Sequence, residues 1–230
     1  MTIQTTVRDI FFDLDHTLWD FEKNSALAFK LIFDRMNIAV DIDAYLEVYV
    51  PINHKYWEMY RKDEISHEEL RFGRFRKAFD AIGFEISDED VLAVSSEYIR
   101  CLPLHNHLFE GTIEILEYLN QKYRLHIITN GFDEVQRRKI ENSGIGHYFK
   151  TVTNSETAGA KKPNPRIFEH AFQLAGSQKE SSVMIGDCID ADVRGALDSG
   201  IDAIFFCQNP QTVHQGIKQI STLSELKNYL

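Results

Sequence analysis

The 230-residue sequence predicts a doubly wound α/β domain with a parallel sheet, and an all-helical cap domain inserted after the first strand. Two observations lead to this prediction. Short apolar runs that end in polar residues alternate with helical patterns through most of the chain, whereas one interval of roughly eighty residues shows helical periodicity alone. A hydrophobic content of 43% is sufficient for one good core and a second, smaller lobe.

Five apolar segments have the length and composition of buried parallel strands. They span residues 10–13, 125–130, 151–154, 183–187 and 203–206. Helical periodicity follows or separates the later ones, at 113–119, 135–140, 167–174 and 193–197. Sheets of this kind place their ligand sites beyond the carboxyl ends of the strands. We therefore expect the polar residues at those ends to converge, namely Asp13, Thr129, Asn130, Asn154 and Asp187.

The helical interval, residues 21–102, cannot continue the sheet, so we expect it to form a separate lobe over the strand ends. Pro103 and Gly111 flank the return to the strand pattern, which makes residues 101–110 the expected hinge. The predicted domains are an α/β core of residues 1–20 and 103–230, and a helical cap of residues 21–102.

Charge and composition exclude several classes of protein. The formal charge of −10 argues against a surface that holds a nucleic-acid polymer, although a small anion can still bind at a local positive site. No run of about eighteen apolar residues and no signal-peptide pattern is present, so we expect a cytoplasmic protein that does not bind membranes. The three cysteines lack a CxxC spacing and suggest neither a disulfide framework nor a zinc site.

Two carboxylates, Asp13 and Asp15, follow the first predicted strand, and Thr17 comes two residues later. Because the strand ends here, the chain can turn and direct both carboxylates at one ligand. Such close anions repel unless a cation joins them, and Mg²⁺ is the hard, oxygen-binding cation that fits best. One carboxylate can then attack a phosphate while the other transfers protons. The alternative for the pair is a loop with two solvated acids. Thr17 would either take part directly in catalysis or only cap or brace the loop.

Four segments in order resemble the motifs of the haloacid dehalogenase-like superfamily of phosphohydrolases. They are Asp13-Leu14-Asp15-His16-Thr17, Thr129-Asn130-Gly131, Lys162-Pro163, and Gly186-Asp187 with Asp192. A DxD pair alone is common, but four motifs in this order on predicted strand ends are specific. The resemblance covers the whole chain, including the helical cap between the first two motifs. It implies the Rossmann-like core of that superfamily.

The resemblance implies a role for each acidic residue. Asp13 would be the nucleophile and a ligand of Mg²⁺. Asp15 would be the general acid and base, and its backbone carbonyl would bind the metal. Asp187 would be a further metal ligand, whereas Asp192 would reach the metal through water or orient other groups. The alternative for Asp187 and Asp192 is capping of a helix N-terminus.

The resemblance also implies residues that bind phosphate. Thr129 and the backbone at Asn130 would bind phosphate oxygens, which agrees with a glycine that permits a tight turn before a helix start. Lys162 would balance the charge of the transferring phosphoryl group, because it directly precedes Pro163 as in the family pattern. Its neighbour Lys161 is expected to be solvated, and an ordinary surface lysine is the alternative for Lys162.

Aromatic and basic residues near the expected cap are the candidates for recognising the leaving group. An aromatic stack with a nearby cation suits a nucleobase. The candidates are Trp19, Phe21, Trp57, Arg71 and Arg74. The alternative is that the aromatic residues at helical spacing, Trp57, Phe72, Phe75 and Phe79, form the core of the cap, and that the arginines form a solvated face.

Residues 11–21, 130–132 and 162–164 are most similar to a branch of the superfamily that contains pyrimidine 5′-nucleotidases acting on noncanonical nucleotides. This similarity implies a Mg²⁺-dependent hydrolase of phosphomonoesters that forms an aspartyl phosphate and acts on nucleoside monophosphates. The alternatives are a sugar-phosphate or broad-specificity phosphatase, a 2-haloacid dehalogenase, a phosphomutase and a non-catalytic module. Asp15 argues against the dehalogenase, which needs neither a metal nor a second aspartate.

Overall fold

A computed structural model describes residues 7–208 and 214–230. The chain divides into two compact units, Met1–Asp20 with Asn106–Leu230, and Phe21–His105. The first unit contains a sheet flanked by helices, and the second is helical. None of the described helices combines the length and apolarity needed to cross a bilayer.

Four helices form the helical unit: α1 (Phe21–Arg35), α2 (Ile42–Arg61), α3 (His67–Ala81) and α4 (Asp88–Cys101). Side-chain caps fix where the last three begin, and Ser66 and Glu69 form a reciprocal capping box at α3. The core of this unit is aromatic, with Phe29 packed edge-on against Tyr49 at a centroid distance of 4.6 Å. Phe75 and Phe79 belong to this core, whereas Trp57 and Phe72 are only partly buried.

The boundary between the units differs from the predicted one. Sequence analysis placed it between residues 102 and 103, but residues 103–105 belong to the helical unit. The reason is a short 3₁₀-helix, Leu102–Leu104, that continues directly from α4 and buries Leu102 and Pro103. The proline therefore starts this extra turn and does not mark the return to the sheet.

The sheet has six parallel strands in the order β3-β2-β1-β4-β5-β6. The strands are β1 (Asp9–Phe12), β2 (Arg124–Thr129), β3 (Phe149–Asn154), β4 (Ser182–Gly186), β5 (Asp202–Phe206) and β6 (Lys218–Ile220). The prediction of a doubly wound α/β core is confirmed, and its five strands are observed with ends shifted by one or two residues. Edge strand β6 was missed because Lys-Gln-Ile lacks an apolar run.

The α-helices of the first unit are α5 (Thr112–Asn120), α6 (Asp133–Asn142), α7 (Ser155–Ala158), α8 (Pro165–Ala175) and α9 (Gly195–Asp198). Alternate residues of four neighbouring strands point to one face of the sheet and pack against α8: Phe11, Ile128, Met184 and Phe205. The helix predicted at 193–197 is only partly correct, because Ile189–Arg194 forms a π-helix ahead of α9.

Candidate active site

The carboxyl ends of β1 and β4 bring three carboxylates together. Asp13 follows β1 and its backbone N–H donates to Ile185 O of β4 at 2.9 Å. Asp187 follows β4, and one oxygen each of Asp13, Asp187 and Asp192 lies within 4.8 Å of the others. Three carboxylates at this separation form a set of oxygen ligands suited to a hard divalent cation.

Lys162 is the cation of this cluster. It is 2% exposed, and its Nζ lies 2.6 Å from Asp13 Oδ1 and 2.6 Å from Asp192 Oδ1. The Asn130 side chain fixes the lysine backbone, because Oδ1 accepts from Lys162 N at 2.7 Å and Nδ2 donates to Lys162 O at 3.0 Å. Lys162 is therefore a buried member of the cluster, and the surface-lysine alternative is wrong.

The π-helix that follows Asp187 brings Asp192 to Lys162. Asp192 is 1% exposed and accepts from Cys188 N at 2.9 Å. A Cβ atom at position 186 would stand 2.3 Å from Asp192 Oδ2, so glycine is required there. The Asp192 carboxylate therefore caps the backbone N–H of Cys188, as the capping alternative predicted, and it also forms a buried ion pair with Lys162.

The cluster carries more negative than positive charge. Burial raises the pKa of Asp13 well above its usual range. The charge of Lys162 lowers this pKa, but the charges of Asp192 and Asp187 raise it further, so the overall shift is upward. Burial and the charge of Asp192 raise the pKa of Asp187 to about 7. Burial alone would lower the pKa of Lys162, but Asp13 and Asp192 raise it overall. One ammonium among three carboxylates leaves a charge that a divalent cation would balance.

Thr17 braces this cluster from the first motif. Its side chain is fully buried, and Oγ1 donates to Asp187 Oδ1 at 3.2 Å. Between Asp13 and Thr17 the chain turns sharply, with His16 in the left-handed region at φ 64°. The contact of Thr17 with Asp187 supports the bracing role over direct catalysis.

Asp15 is held by helix α6. Lys139 Nζ donates to Asp15 Oδ1 at 2.6 Å, and Gln136 Nε2 donates to Asp15 Oδ2 at 2.8 Å. The same Gln136 nitrogen donates to Thr129 Oγ1 at 2.6 Å. A Cβ at position 131 would stand 2.5 Å from the Gln136 carboxamide, so Gly131 makes room for this side chain.

Sequence reasoning missed Gln136 and Lys139. Both are almost fully buried, at 1% and 2% exposure, on the face of α6 that also buries Val135 and Ile140. Long polar side chains are rarely buried without a partner. Their position on the apolar face, directly after the Thr129 motif, was the available signal.

Two residues expected to recognise the leaving group are buried. Trp19 has no exposed surface, and its ring lies 4.3 Å from Lys139 Nζ. Phe21, the first residue of α1, is 6% exposed. Trp19 offers no free face on which a base can stack, so this expectation is corrected: the ring packs under Lys139, which contacts Asp15.

The helical unit contains a buried arginine. Arg74 is 2% exposed, its Nη1 donates to Asn53 Oδ1 at 2.8 Å, and its guanidinium lies 4.8 Å from the Phe75 ring centroid. Among the residues that the structure describes, no carboxylate forms an ion pair with Arg74. The solvated-face alternative is therefore wrong for Arg74. Arg71 and Trp57 are partly exposed.

The chain matches known proteins over most of its length. A family model of haloacid dehalogenase-like hydrolases matches residues 7–200. The pyrimidine 5′-nucleotidase PynA of Streptococcus pneumoniae is 34% identical over 199 residues, which are 86% of this chain and 82% of that protein. The pyrimidine 5′-nucleotidase YjjG of Escherichia coli is 28% identical, covering 94% and 93% of the two chains.

A solved structure agrees with these matches. The magnesium-bound HAD-hydrolase YfnB of Bacillus subtilis superposes with a TM-score of 0.87 at 28% identity, and the match covers 97% of this chain and 98% of that one. The resemblance inferred from the four motifs is thereby confirmed. The chain belongs to the haloacid dehalogenase-like hydrolases.

Proposed function

We propose that this protein is a Mg²⁺-dependent phosphomonoester hydrolase that uses Asp13 as its nucleophile and acts on nucleoside 5′-monophosphates. The observation that carries the proposal is the buried cluster in which Lys162 is shared by Asp13 and Asp192 beside Asp187. Its excess negative charge requires a cation, and its lysine suits a phosphoryl group in transfer.

Asp13, Asp187 and the backbone carbonyl of Asp15 would hold the metal. Mg²⁺ held there would offset the negative charge of the phosphoryl group as Asp13 attacks it. Asp192 is already engaged by Lys162 and by the Cys188 N–H, which supports a role in orienting the lysine rather than as a direct ligand.

In the first step an oxygen of Asp13 forms a bond to phosphorus as the ester P–O bond breaks, and protonated Asp15 gives its proton to the leaving oxygen. In the second step water attacks the phosphorus of the aspartyl phosphate, and Asp15 takes its proton. The bond between phosphorus and Asp13 breaks and inorganic phosphate leaves. Lys162 offsets negative charge on the phosphoryl group in both steps.

Thr129 is suited to bind a phosphoryl oxygen. Its Oγ1 accepts from Gln136 Nε2 at 2.6 Å and from Gly131 N at 3.1 Å. A hydroxyl has two acceptor sites and one proton, so these contacts leave the proton of Thr129 for another acceptor. We assign that proton, together with the backbone N–H of Asn130, to the phosphate.

The names of two relatives, PynA and YjjG, support a nucleotide as substrate. Within the helical unit, Arg74 and Asn53 form a polar pair beside the partly exposed Trp57, whose ring centroid lies 6.0 Å from the guanidinium. Arg71 is partly exposed as well. Trp57 and Arg71 are therefore the residues proposed to recognise the base, with the buried Arg74 beside Trp57.

A phosphate-release panel tests the proposal. Wild type and Asp13→Asn are assayed with uridine 5′-monophosphate, sugar phosphates and p-nitrophenyl phosphate, with Mg²⁺ and with a chelator. We expect nucleotide hydrolysis by wild type with Mg²⁺ alone. Activity that survives chelation or Asp13→Asn would contradict the mechanism. Faster hydrolysis of sugar phosphates than of any nucleotide would contradict the proposed nucleotide substrate, but it would still agree with a phosphomonoester hydrolase.

A further inference from the structure

We infer that Lys139 and Gln136 are positioning residues that hold the Asp15 carboxylate in the orientation needed for proton transfer to the leaving group. The inference rests on the proposed function and goes beyond it, because neither residue belongs to the four motifs. Its basis is that each Asp15 oxygen accepts from a different side chain of α6, at 2.6 Å from Lys139 and 2.8 Å from Gln136.

The two donors lie on one face of α6, because they are three residues apart on this helix. Gln136 uses one nitrogen for both Asp15 Oδ2 and Thr129 Oγ1, and its carboxamide packs where Gly131 has no Cβ. The carboxamide therefore links the proposed acid and base to the proposed phosphate-binding hydroxyl.

Lys139 is buried like Gln136, and an aromatic ring packs against it. Its side chain is 2% exposed and its Nζ lies 4.3 Å from the centroid of the buried Trp19 ring. The ring itself is fixed by the turn after β1, where Trp19 N donates to Leu14 O at 2.9 Å and His16 N donates to Trp19 O at 3.0 Å. The loop that carries Asp15 thus also supplies the surface that orients its lysine.

Orientation matters because proton transfer requires the acid within hydrogen-bond reach of the leaving oxygen, and a displacement of about 1 Å can lower the rate on the order of 100-fold. Without the two donors, a carboxylate with 22% exposure can rotate toward water. In kcat/KM the expected defect comes from the step in which Asp15 protonates the leaving group, because the later step, in which Asp15 takes a proton from water, does not enter kcat/KM.

The test compares two substrates by kcat/KM, which reports on steps up to loss of the leaving group. Lys139→Met should lower kcat/KM for uridine 5′-monophosphate by about 10- to 100-fold. For p-nitrophenyl phosphate it should change little, because nitrophenolate leaves without a proton. Lys139→Arg, which keeps a donor, should restore part of the loss. Arg137→Met, which removes an exposed cation of the same helix, should affect neither substrate.

A double-mutant cycle separates positioning from a general structural role. In an Asp15→Asn background, Lys139→Met should cause no further loss for the nucleotide, since it acts through Asp15. Equal losses for both substrates, or additive losses in the cycle, would overturn the inference, as would higher activity of Lys139→Met. Failure of wild type to release phosphate from any substrate would instead contradict the proposed function.

Discussion

Strand β1 has a buried aspartate at each end, and the two have opposite surroundings. Asp9, at the amino end, is 1% exposed and lies 2.7 Å from Arg124 Nε and 3.1 Å from His126 Nε2. Asp13, beyond the carboxyl end, shares one ammonium with Asp192 and has Asp187 as a further neighbour.

The two ends differ in charge balance rather than in burial. Burial lowers the pKa of His126, although Asp9 opposes this shift, so the imidazole is neutral near pH 7 and Arg124 alone neutralises Asp9. Since Asp9 accepts from Nε2, Nδ1 is free to accept from Thr151 Oγ1 at 2.8 Å. The charge of Asp9 at the amino end is thus neutralised by a neighbouring side chain, whereas the carboxylates at the carboxyl end outnumber the ammonium that they share. This difference indicates a structural role for the amino end of β1 and ligand binding at its carboxyl end.

The largest expected effect comes from removing Lys162, the cation that Asp13 and Asp192 share at the carboxyl end. Lys162→Met should lower kcat for phosphate release by about 10²- to 10³-fold, because it removes a charge that stabilises the phosphoryl group in the transition state. Lys161→Met is the matched control and should retain activity. Circular dichroism with Mg²⁺ checks that both variants fold, and comparable kcat values for the two would refute the role of Lys162.

At the amino end the effect should be on stability. Asp9→Asn removes the carboxylate that accepts from His126 and from the half-exposed Arg124. It should lower the free energy of unfolding by about 1 to 2 kcal/mol, with kcat preserved. Chemical unfolding measures the first quantity and phosphate release the second. If the folded variant lost activity as severely as Lys162→Met, the two ends would not be separate in function.

A pH-dependent effect should appear in metal-free protein. The folded pKa of Asp187, about 7, lies above that of an unfolded aspartate, so folding takes up a proton between the two values. Stability contributed by the protonated form is complete at low pH and is lost as pH rises through about 7. Asp187→Asn should therefore be more stable than wild type at pH 8 but not at pH 4, as measured by chemical unfolding with a chelator. A difference independent of pH would contradict this assignment.

Much of the fold and the approach of Asp13 and Asp187 followed from sequence pattern, whereas Lys162 was assigned to the site by the family resemblance. Apolar runs mark parallel strands, and parallel strands bring their carboxyl ends to one edge. The ion pair of Asp192 could not be anticipated, because it depends on a π-helix where the sequence indicated ordinary helical periodicity.

The contacts of Asp15 could not be predicted from the sequence either. Lys139 is 124 residues away in the chain, and only packing of α6 against the turn after β1 brings the two side chains together. The same packing buries Trp19, which its neighbourhood in the sequence had suggested as a stacking surface. Edge strand β6 was missed since it is three residues long with one buried side chain.

The comparison between the two ends of β1 is tested most directly by Mg²⁺ binding, measured as the rise in melting temperature when Mg²⁺ is added to metal-free protein. We expect Mg²⁺ to stabilise wild type and Asp9→Asn, and Asp13→Asn to lose most of this effect. Equal stabilisation of Asp13→Asn and wild type, or its loss in Asp9→Asn alone, would contradict a cation site at the carboxyl end of β1.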